Sequence, residues 1–268
     1  PPPPPPPPPT RVLSSTTRHP RCLSDWSSDV CSSDLELHGD RAYGDDRALI
    51  GGLGSFEGQA VTILAQSKGR NLEENLRCNF GMLHPEGYRK ALRLAKQAEK
   101  FNRPIITIID TAGAYPGKGA EERGQAEAIA QCLKLFSQIK VPVLALVLSE
   151  GGSGGALALS VANKIYMFEN AVYSILSPEG FASILWKDET RAKEAAELME
   201  CTAFDLKAKG VIDRIIEEAD QGLEVDPMYS IVQIKDVIRQ DLTVLKKMKL
   251  NVMLEQRYQK FRKLGSQL

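Results

Sequence analysis

Residues 141–162 read VPVLALVLSEGGSGGALALSVA, and this stretch decides the fold. Val143 to Leu148 is an unbroken apolar run, typical of strands buried on both faces of a parallel sheet. Glycines follow at 151, 152, 154 and 155, and an Ala/Leu-rich segment from Ala156 predicts a buried helix. A strand, a glycine turn and a helix direct unpaired backbone N–H groups towards an anion. The stretch therefore predicts an anion or oxyanion site, the alternative being a turn that only allows close packing.

A second glycine-rich turn follows an earlier apolar strand. Ile105 to Ile109 predicts a buried strand, and residues 110–119 after it read DTAGAYPGKG. Strands that alternate with helices predict an α/β fold built from right-handed βαβ units. Because ligands bind at the carboxyl ends of such strands, we expect both turns to line one site.

The remaining pattern predicts the other elements of the chain. Residues 48–53 and 60–66 are predicted strands joined by a hairpin-like connection, and residues 67–83 are predicted to be a polar loop. Further strands are expected at 164–168, 171–175 and 211–216. Helices are expected at 85–101, 121–139, 188–200 and 203–209, with another beginning at Ser177-Pro178. Residues 228–268 are predicted to form a helical C-terminal part.

The first 35 residues differ from the rest of the chain. Nine prolines open it, and a Ser/Thr/Asp-rich stretch without an apolar period follows. We predict that residues 1–35 are disordered. Residues 26–34, WSSDVCSSD, resemble translated sequencing-adapter DNA, so we hypothesise that this segment is not native protein. The globular domain is then predicted to span residues 36–268.

Composition excludes several classes of function. The formal net charge is zero, which argues against broad nucleic-acid binding. No apolar run is long enough to predict a transmembrane helix. The five cysteines are scattered without a C-x-x-C pair, so no metal site is predicted in this chain. The odd number of cysteines indicates reduced thiols and a cytoplasmic protein.

Two other interpretations of the glycines fit less well. Residues 151–155 match G-x-S-x-G, the nucleophile elbow of α/β-hydrolases, but His19, His38 and His84 all precede Ser153, whereas that fold places the histidine downstream. Dinucleotide binding requires G-x-G-x-x-G in the first βαβ unit, and a P-loop requires Gly-Lys-Ser/Thr; neither motif is present. A third interpretation uses both turns as one oxyanion hole, with the base supplied by a substrate or cofactor.

Several long motifs carry a resemblance to a known family. They are GDRAY (39–43), NFGM (79–82), PEGYRKALR (85–93), DTAGAYPG (110–117), GAEERGQ (119–125), EGGSGGAL (150–157), SPEG (177–180) and ASILWK (182–187). With these motifs, the chain from Glu36 onward resembles the α subunits of the bacterial and plastid acetyl-CoA carboxylase carboxyltransferase. The resemblance implies a crotonase-like (ClpP/crotonase) fold, a superhelix of ββα units with a helical C-terminal extension.

The same resemblance implies a reaction and partners. It implies transfer of a carboxyl group from carboxybiotin, held on a biotin carboxyl carrier protein, to acetyl-CoA, giving malonyl-CoA for fatty-acid synthesis. Biotin is then not attached to this chain. The implied partners are biotin carboxylase and a zinc-containing β subunit, in an α2β2 heterotetramer with active sites between α and β. The implied location is the cytoplasm, or the plastid stroma for a plant protein, with no membrane partner.

The resemblance also suggests roles for individual residues. Backbone N–H groups of Gly151 and Gly152 are the expected catalytic oxyanion donors, holding the ureido oxygen of biotin. The expected substrate-binding residues are Ala112, Gly113, Ala114, Gly154, Gly155 and Lys118. Lys68, Arg70 and Lys118 are candidates for contacts with CoA phosphates or an acidic carrier surface, although exposure to solvent alone also explains them.

One departure from the family pattern bears on assembly. Family members have an N-terminal helical region before GDRAY, and residues 1–35 replace it here. If that region holds the β subunit or the dimer, assembly is affected. Separately, a non-catalytic crotonase-fold scaffold of a biotin-dependent carboxylase stays open as the alternative function, although the intact glycine turns favour the catalytic one.

Overall fold

In this computed structural model, the structure describes residues 32–69, 71–220 and 226–266. The prediction of disorder at residues 1–35 lies, for residues 1–31, outside the described residues. Residues 32–35 lie in the first strand of the sheet, so the proposed boundary at residue 36 falls inside that strand.

One eight-stranded sheet forms the centre of the described chain. Its strands are β1 (Ser32–Glu36), β2 (Leu49–Phe56), β3 (Gln59–Gln66), β4 (Ile105–Thr111), β5 (Val143–Gly152), β6 (Lys164–Phe168), β7 (Val172–Ser174) and β8 (Arg214–Ile216). The order is β1-β2-β3-β4-β5-β6-β8, and β7 pairs with the end of β5. The pairs β1–β2 and β2–β3 are antiparallel, and all other pairs in the sheet, from β3–β4 onward, are parallel.

The helices that accompany the sheet are α1 (Leu72–Arg77), α2 (Pro85–Lys100), α3 (Lys118–Glu122), α4 (Gln125–Gln138), α5 (Ser153–Ser160), α6 (Pro178–Trp186), α7 (Ala192–Met199), α8 (Ala203–Ala208), α9 (Pro227–Lys247) and α10 (Leu250–Lys263). Short 3-10 turns occupy Asn79–Gly81 and Glu189–Arg191. The two strands predicted from apolar runs, β4 and β5, lie at the centre of the sheet and are almost entirely buried. Helices α2 and α4 pack together and connect the parallel strands, as the βαβ pattern predicts.

The structure corrects three boundaries. The predicted loop at 67–83 contains α1, which Asn71 caps by accepting a hydrogen bond from the Glu74 N–H. No side chain of α1 is buried, so the helix leaves no apolar period in the sequence. The predicted helix at 121–139 is divided at Gly124, which has a φ of 83°. The C-terminal helix is divided at Met248 and Lys249, whose backbones are extended.

A buried arginine attaches the C-terminal helix to the end of α4 and to the segments that precede β5 and β6. The Arg257 guanidinium donates hydrogen bonds to the carbonyls of Phe136, Ile139 and Val141 and to Asn163 Oδ1. Two of these carbonyls lie at the C-terminal end of α4, where backbone acceptors lack helical partners. Burial holds the pKa of Arg257 near 10, below its ordinary value, and still leaves it charged at neutral pH. Within the described segments, no helix has the length and apolar character needed to cross a membrane.

Candidate active site

Both glycine turns lie at the same end of the sheet. Strands β4 and β5 are parallel neighbours that pair in register from Ile105 opposite Val143 to Ile109 opposite Val147. The register then shifts at an irregularity, after which Thr111 lies opposite Gly151. The turns that follow them therefore begin side by side, as the sequence predicted.

The backbones of the two turns are in direct contact. A Cβ atom placed on Gly152 would lie 1.9 Å from the carbonyl oxygen of Ala112. A Cβ on Gly155 would lie 2.4 Å from the carbonyl carbon of Gly113 and 2.5 Å from the Ala114 nitrogen. Only glycine allows this approach, so Gly152 and Gly155 join the turns into one surface. We refer to the backbone of residues 112–114 and 151–155 as the cradle.

The last residues of β5 have a neighbouring strand on each side, β4 and β7. Gly151 is the ladder partner of Thr111 in β4 and of Tyr173 in β7, and Gly152 is the partner of Ser174. Successive N–H groups of a strand point to opposite edges, so these two are directed along the sheet towards β4 and β7. The donor role of Gly151 and Gly152 stays a prediction, because the neighbouring strands offer competing acceptors.

Helix α5 adds further N–H groups at the same place. Its first residue, Ser153, is exposed and has a φ of 52°, an uncommon conformation that turns the chain sharply from strand to helix. Gly154 follows, and a Cβ there would meet only Ile129 Cγ2, at 3.8 Å. Because the first N–H groups of a helix have no intrahelical acceptor, the start of α5 is suited to an anion.

The turn after β4 is fixed by a side chain and by a neighbouring segment. The Thr111 hydroxyl donates a hydrogen bond to the Gly113 carbonyl at 2.7 Å. The same hydroxyl accepts a hydrogen bond from the Gly113 N–H at 3.2 Å. Leu83 pairs with Ala114, and the Tyr115 N–H donates to the Leu83 carbonyl. Ala112 remains exposed at the surface of the cradle.

Residues 79–84 form a wall beside this turn that the sequence interpretation missed. Asn79 and Phe80 both have positive φ, and Phe80 is 41% exposed. The His84 ring stacks on Tyr115 with centroids 4.2 Å apart, and Nδ1 of His84 lies 3.1 Å from Nδ2 of Asn79. Positive φ at two successive non-glycine residues is strained, and such strain concentrates at functional sites. The NFGM motif was the available signal, but it does not reveal the backbone conformation.

Lys68 lies between the acids that precede the two turns. Its Nζ is 3.0 Å from Asp110 Oδ1 and 3.1 Å from Glu150 Oε2. Burial acts to lower the pKa of Lys68, but the two carboxylates outweigh it and hold the pKa above its ordinary value. The lysine is therefore charged and already paired, which disfavours contact with a CoA phosphate. The other predicted cation, Lys118, is 89% exposed and lies 3.5 Å from Glu122, and Arg70 lies outside the described residues.

Other shared motifs build an ion-pair block, made of Asp40, Glu86, Arg89 and Arg123, whose hydrogen bonds among the described residues do not involve the cradle. Arg89 donates to Asp40 at 2.7 Å and to Glu86 at 3.0 Å, and Arg123 donates to both oxygens of Glu86. Burial acts to raise the pKa of Asp40, but hydrogen bonds from three backbone N–H groups and from Arg89 lower it to about 2. These motifs tie the 39–45 loop to α2 and to the end of α3.

The hydrolase interpretation gains no base from the structure. Of the described histidines, His38 contacts Asp45 and His84 contacts Asn79 and Tyr115, and neither has a recorded contact with Ser153. Nowhere in the described segments do three or more His, Cys, Asp or Glu side chains group as a metal site requires.

The chain matches the family model for acetyl co-enzyme A carboxylase carboxyltransferase-like proteins over residues 11–265. It is 54% identical to the acetyl-coenzyme A carboxylase carboxyl transferase subunit alpha of Clostridium acetobutylicum, over 88% of this chain and 86% of that protein. The subunit of the same name from Streptococcus sanguinis is 53% identical, over 95% of this chain and 98% of that protein.

Solved structures show the same fold at lower identity. A Pseudomonas malonate decarboxylase hetero-tetramer in complex with coenzyme A superimposes with a TM-score of 0.67 and 17% identity, over 87% of this chain and 90% of that chain. The transcarboxylase 12S core gives a TM-score of 0.66 with 22% identity, over 81% of this chain and 41% of that chain. The fold is crotonase-like, as expected. From the extent of the family match and of the sequence identity, the chain belongs to the acetyl-CoA carboxylase carboxyltransferase α-subunit family.

Proposed function

We propose that this carboxyltransferase subunit supplies the anion-binding half of an active site shared with a β subunit, where a carboxyl group passes from carboxybiotin to acetyl-CoA. The product is malonyl-CoA, for fatty-acid synthesis in the cytoplasm. The observation that carries the proposal is the fusion of the two glycine turns into one cradle, since Gly152 and Gly155 lie against the backbone of residues 112–114.

In this proposal, backbone N–H groups of the cradle hold the oxygen on which negative charge develops. The first turn of α5, at Gly154 and Gly155, supplies donors, and Gly151 and Gly152 add theirs where the acceptors of β4 and β7 leave them free. Such donors are fixed before the reaction and need no reorganisation, so each typically contributes about 3–4 kcal/mol to barrier lowering. Residues 112–114 complete the opposite side, where the exposed Ala112 contacts substrate.

The cradle fits a neutral, planar ureido group. No side chain fills it: Gly113 has nothing nearer than the Gly152 oxygen at 4.0 Å from its Cβ position, and Ser153 and Ala112 are exposed. Carboxybiotin on its carrier protein supplies the carboxyl group and the base for the acetyl methyl proton. The residues of this chain bind and orient it.

Among the described residues, the acidic side chains next to the cradle are already paired, which agrees with a base supplied by carboxybiotin. Asp110 and Glu150, the acids next to the turns, both contact Lys68, and Asp110 also accepts a hydrogen bond from Ser149 at 2.6 Å. Both carboxylates are therefore already engaged in contacts within this chain. The chain is therefore proposed to act by electrostatic stabilisation alone.

An apolar surface next to the cradle supports docking of the β subunit there. Strand β7 pairs with residues 150–152 and leads directly into α6. Large apolar side chains are exposed on and around this segment, namely Ile175, Ile184, Leu185, Leu198 and Phe204. Exposed apolar clusters of this kind mark protein interfaces. We propose an α2β2 assembly in which the β subunit covers this surface and completes the site, and in which biotin carboxylase and the carrier protein are further partners.

The proposal is tested by mixing the full chain with its β subunit and measuring carboxyl transfer from malonyl-CoA to free biocytin. Each chain alone is the control. We expect activity only in the mixture, together with a complex on size-exclusion chromatography. A complex without activity contradicts the proposal and favours the scaffold alternative.

The scaffold alternative requires a variant that keeps the fold. Gly152→Val is unsuitable, because a Cβ at that position would overlap the Ala112 carbonyl. Ala112→Leu places a larger side chain at an exposed position of the cradle without a backbone clash. A catalytic subunit should assemble and lose activity with this change, whereas a scaffold should keep both.

A further inference from the structure

The ends of three neighbouring strands meet at one lysine. Lys68 follows β3, Asp110 is the last residue but one of β4, and Glu150 precedes Gly151 in β5. The ammonium group lies within hydrogen-bonding distance of both carboxylates. We refer to Lys68, Asp110 and Glu150 as the Lys68 cluster.

The Lys68 cluster lies next to the cradle. Asp110 and Glu150 are each within two residues of a cradle backbone group, and strand residues are spaced about 3.3 Å apart. The end of β3 also contacts the cradle directly, because Gln66 Nε2 donates a hydrogen bond to the Gly155 carbonyl at 3.1 Å. The charges of the Lys68 cluster therefore act on the cradle over a short distance, in a partly buried region of the protein.

The charges of the cluster do not cancel. Two carboxylates and one ammonium leave a net charge of −1 beside a site proposed to stabilise a developing anion. Among the described residues packed around it, Ser149 contributes a neutral hydroxyl, and the 79–81 turn, whose Gly81 lies against Asp110 and Lys68, has no charged residue. Without the ammonium, the charge would become −2 and oppose the reaction.

We propose that Lys68 is a positioning residue whose ammonium group offsets Asp110 and Glu150, so that these acids can join the strand ends without opposing the negative charge that develops in the cradle. This inference rests on the proposed function of the cradle. It differs from that proposal in assigning an electrostatic task to a side chain that does not touch substrate.

Two substitutions break the same ion pair from opposite sides. Lys68→Met removes the positive charge, and Glu150→Gln removes one negative charge while Lys68 keeps its contact with Asp110. If the pair were only a structural clamp, both changes should lower activity alike. If charge balance matters, Lys68→Met should lower kcat strongly, and Glu150→Gln should leave it equal or higher.

The expected size follows from Coulomb's law. One uncompensated charge several ångströms from the reacting centre, in a partly buried site, changes a rate by roughly 10- to 100-fold. We therefore expect Lys68→Met to reduce kcat by about 30-fold at pH 8 with little change in KM.

The double variant Lys68→Met/Glu150→Gln has the same net cluster charge as the natural chain, and Lys68→Arg keeps the positive charge. Both should recover most of the activity. Lys134→Met, an exposed lysine on α4, is the matched control and should have no effect.

The experiment measures kcat and KM for malonyl-CoA to biocytin transfer at pH 8 in the assembled complex, with melting temperatures for every variant. A loss of kcat in Lys68→Met that is absent in Glu150→Gln and recovered in the double variant supports the inference. Equal losses in the two single variants, or a loss in Lys68→Met that neither Lys68→Arg nor the double variant recovers, overturn it. If Lys68→Met does not assemble, Glu150→Gln decides alone. A loss of kcat in Glu150→Gln as large as that caused by removing an oxyanion donor then overturns the inference. An inactive natural complex instead contradicts the proposed function of the cradle.

Discussion

The cradle and the ion-pair block are both built from motifs shared with the family, but they use those motifs in opposite ways. In the cradle, glycines remove side chains so that two backbones can touch and present N–H groups. In the ion-pair block, Asp40, Glu86, Arg89 and Arg123 use long charged side chains to join segments distant in sequence. Shared motifs thus identify a family without separating chemistry from architecture, and that separation needs the structure.

The largest expected effect is a loss of stability where the two turns of the cradle touch, at Gly152 and Ala112. Gly152→Ala would place a methyl group 1.9 Å from the Ala112 oxygen, so one of the turns has to move. We expect a loss of about 3 kcal/mol or more in unfolding free energy and loss of activity. Gly154→Ala is the control, since its Cβ would meet only Ile129 at 3.8 Å. Urea denaturation of both variants checks this, and equal stabilities would show that the turns are not in contact.

A smaller, pH-dependent effect is expected in the ion-pair block. The pKa of Asp40 is lowered to about 2, so its ionised form stabilises the fold above about pH 4, and this stability is lost as the pH falls towards 2. We expect Asp40→Asn to cost about 2 kcal/mol at pH 7 and about half as much at pH 3. Catalysis per folded molecule should stay unchanged.

Urea unfolding at pH 7, 5 and 3 measures this difference, with the exposed Asp220→Asn as the matched control. A penalty that is the same at all three values would mean that the Asp40 charge does not contribute. A loss of kcat in Asp40→Asn without a matching loss of stability would mean that the ion-pair block, like the cradle, takes part in catalysis.

The smallest expected effect is at Ser153, at the centre of the G-x-S-x-G pattern. The side chain is exposed, and the proposal uses only the backbone at this position. Ser153→Ala should therefore change kcat for carboxyl transfer by less than about threefold. A loss approaching that of a catalytic nucleophile, measured in the assembled complex, would return the serine to the mechanism.

Sequence patterns predicted the parts of the fold that depend on local information. The apolar runs at 105–109 and 143–148 and the glycines after them located β4, β5 and both turns. The patterns did not predict contacts between distant residues, such as Lys68 with Glu150 or Arg257 with the end of α4, because periodicity carries no information about pairing. Helix α1 was missed because its stability comes from the Asn71 cap and its acidic first turn rather than from a buried face.

The central claim is that the cradle acts on substrate and that the ion-pair block only supports the fold. One exposed alanine of a family motif lies in the cradle, Ala112, and another lies next to the ion-pair block, Ala42, whose N–H donates to Asp40. The same substitution to leucine can therefore be made in both without a buried clash.

The most direct test is kcat/KM for malonyl-CoA to biocytin transfer by the Ala112→Leu and Ala42→Leu complexes, after both are shown to assemble and melt like the natural complex. We expect Ala112→Leu to lose about 100-fold, comparable to the removal of an oxyanion donor, and Ala42→Leu to match the natural complex. Equal activity of the two variants would contradict the claim that the cradle binds the reacting group.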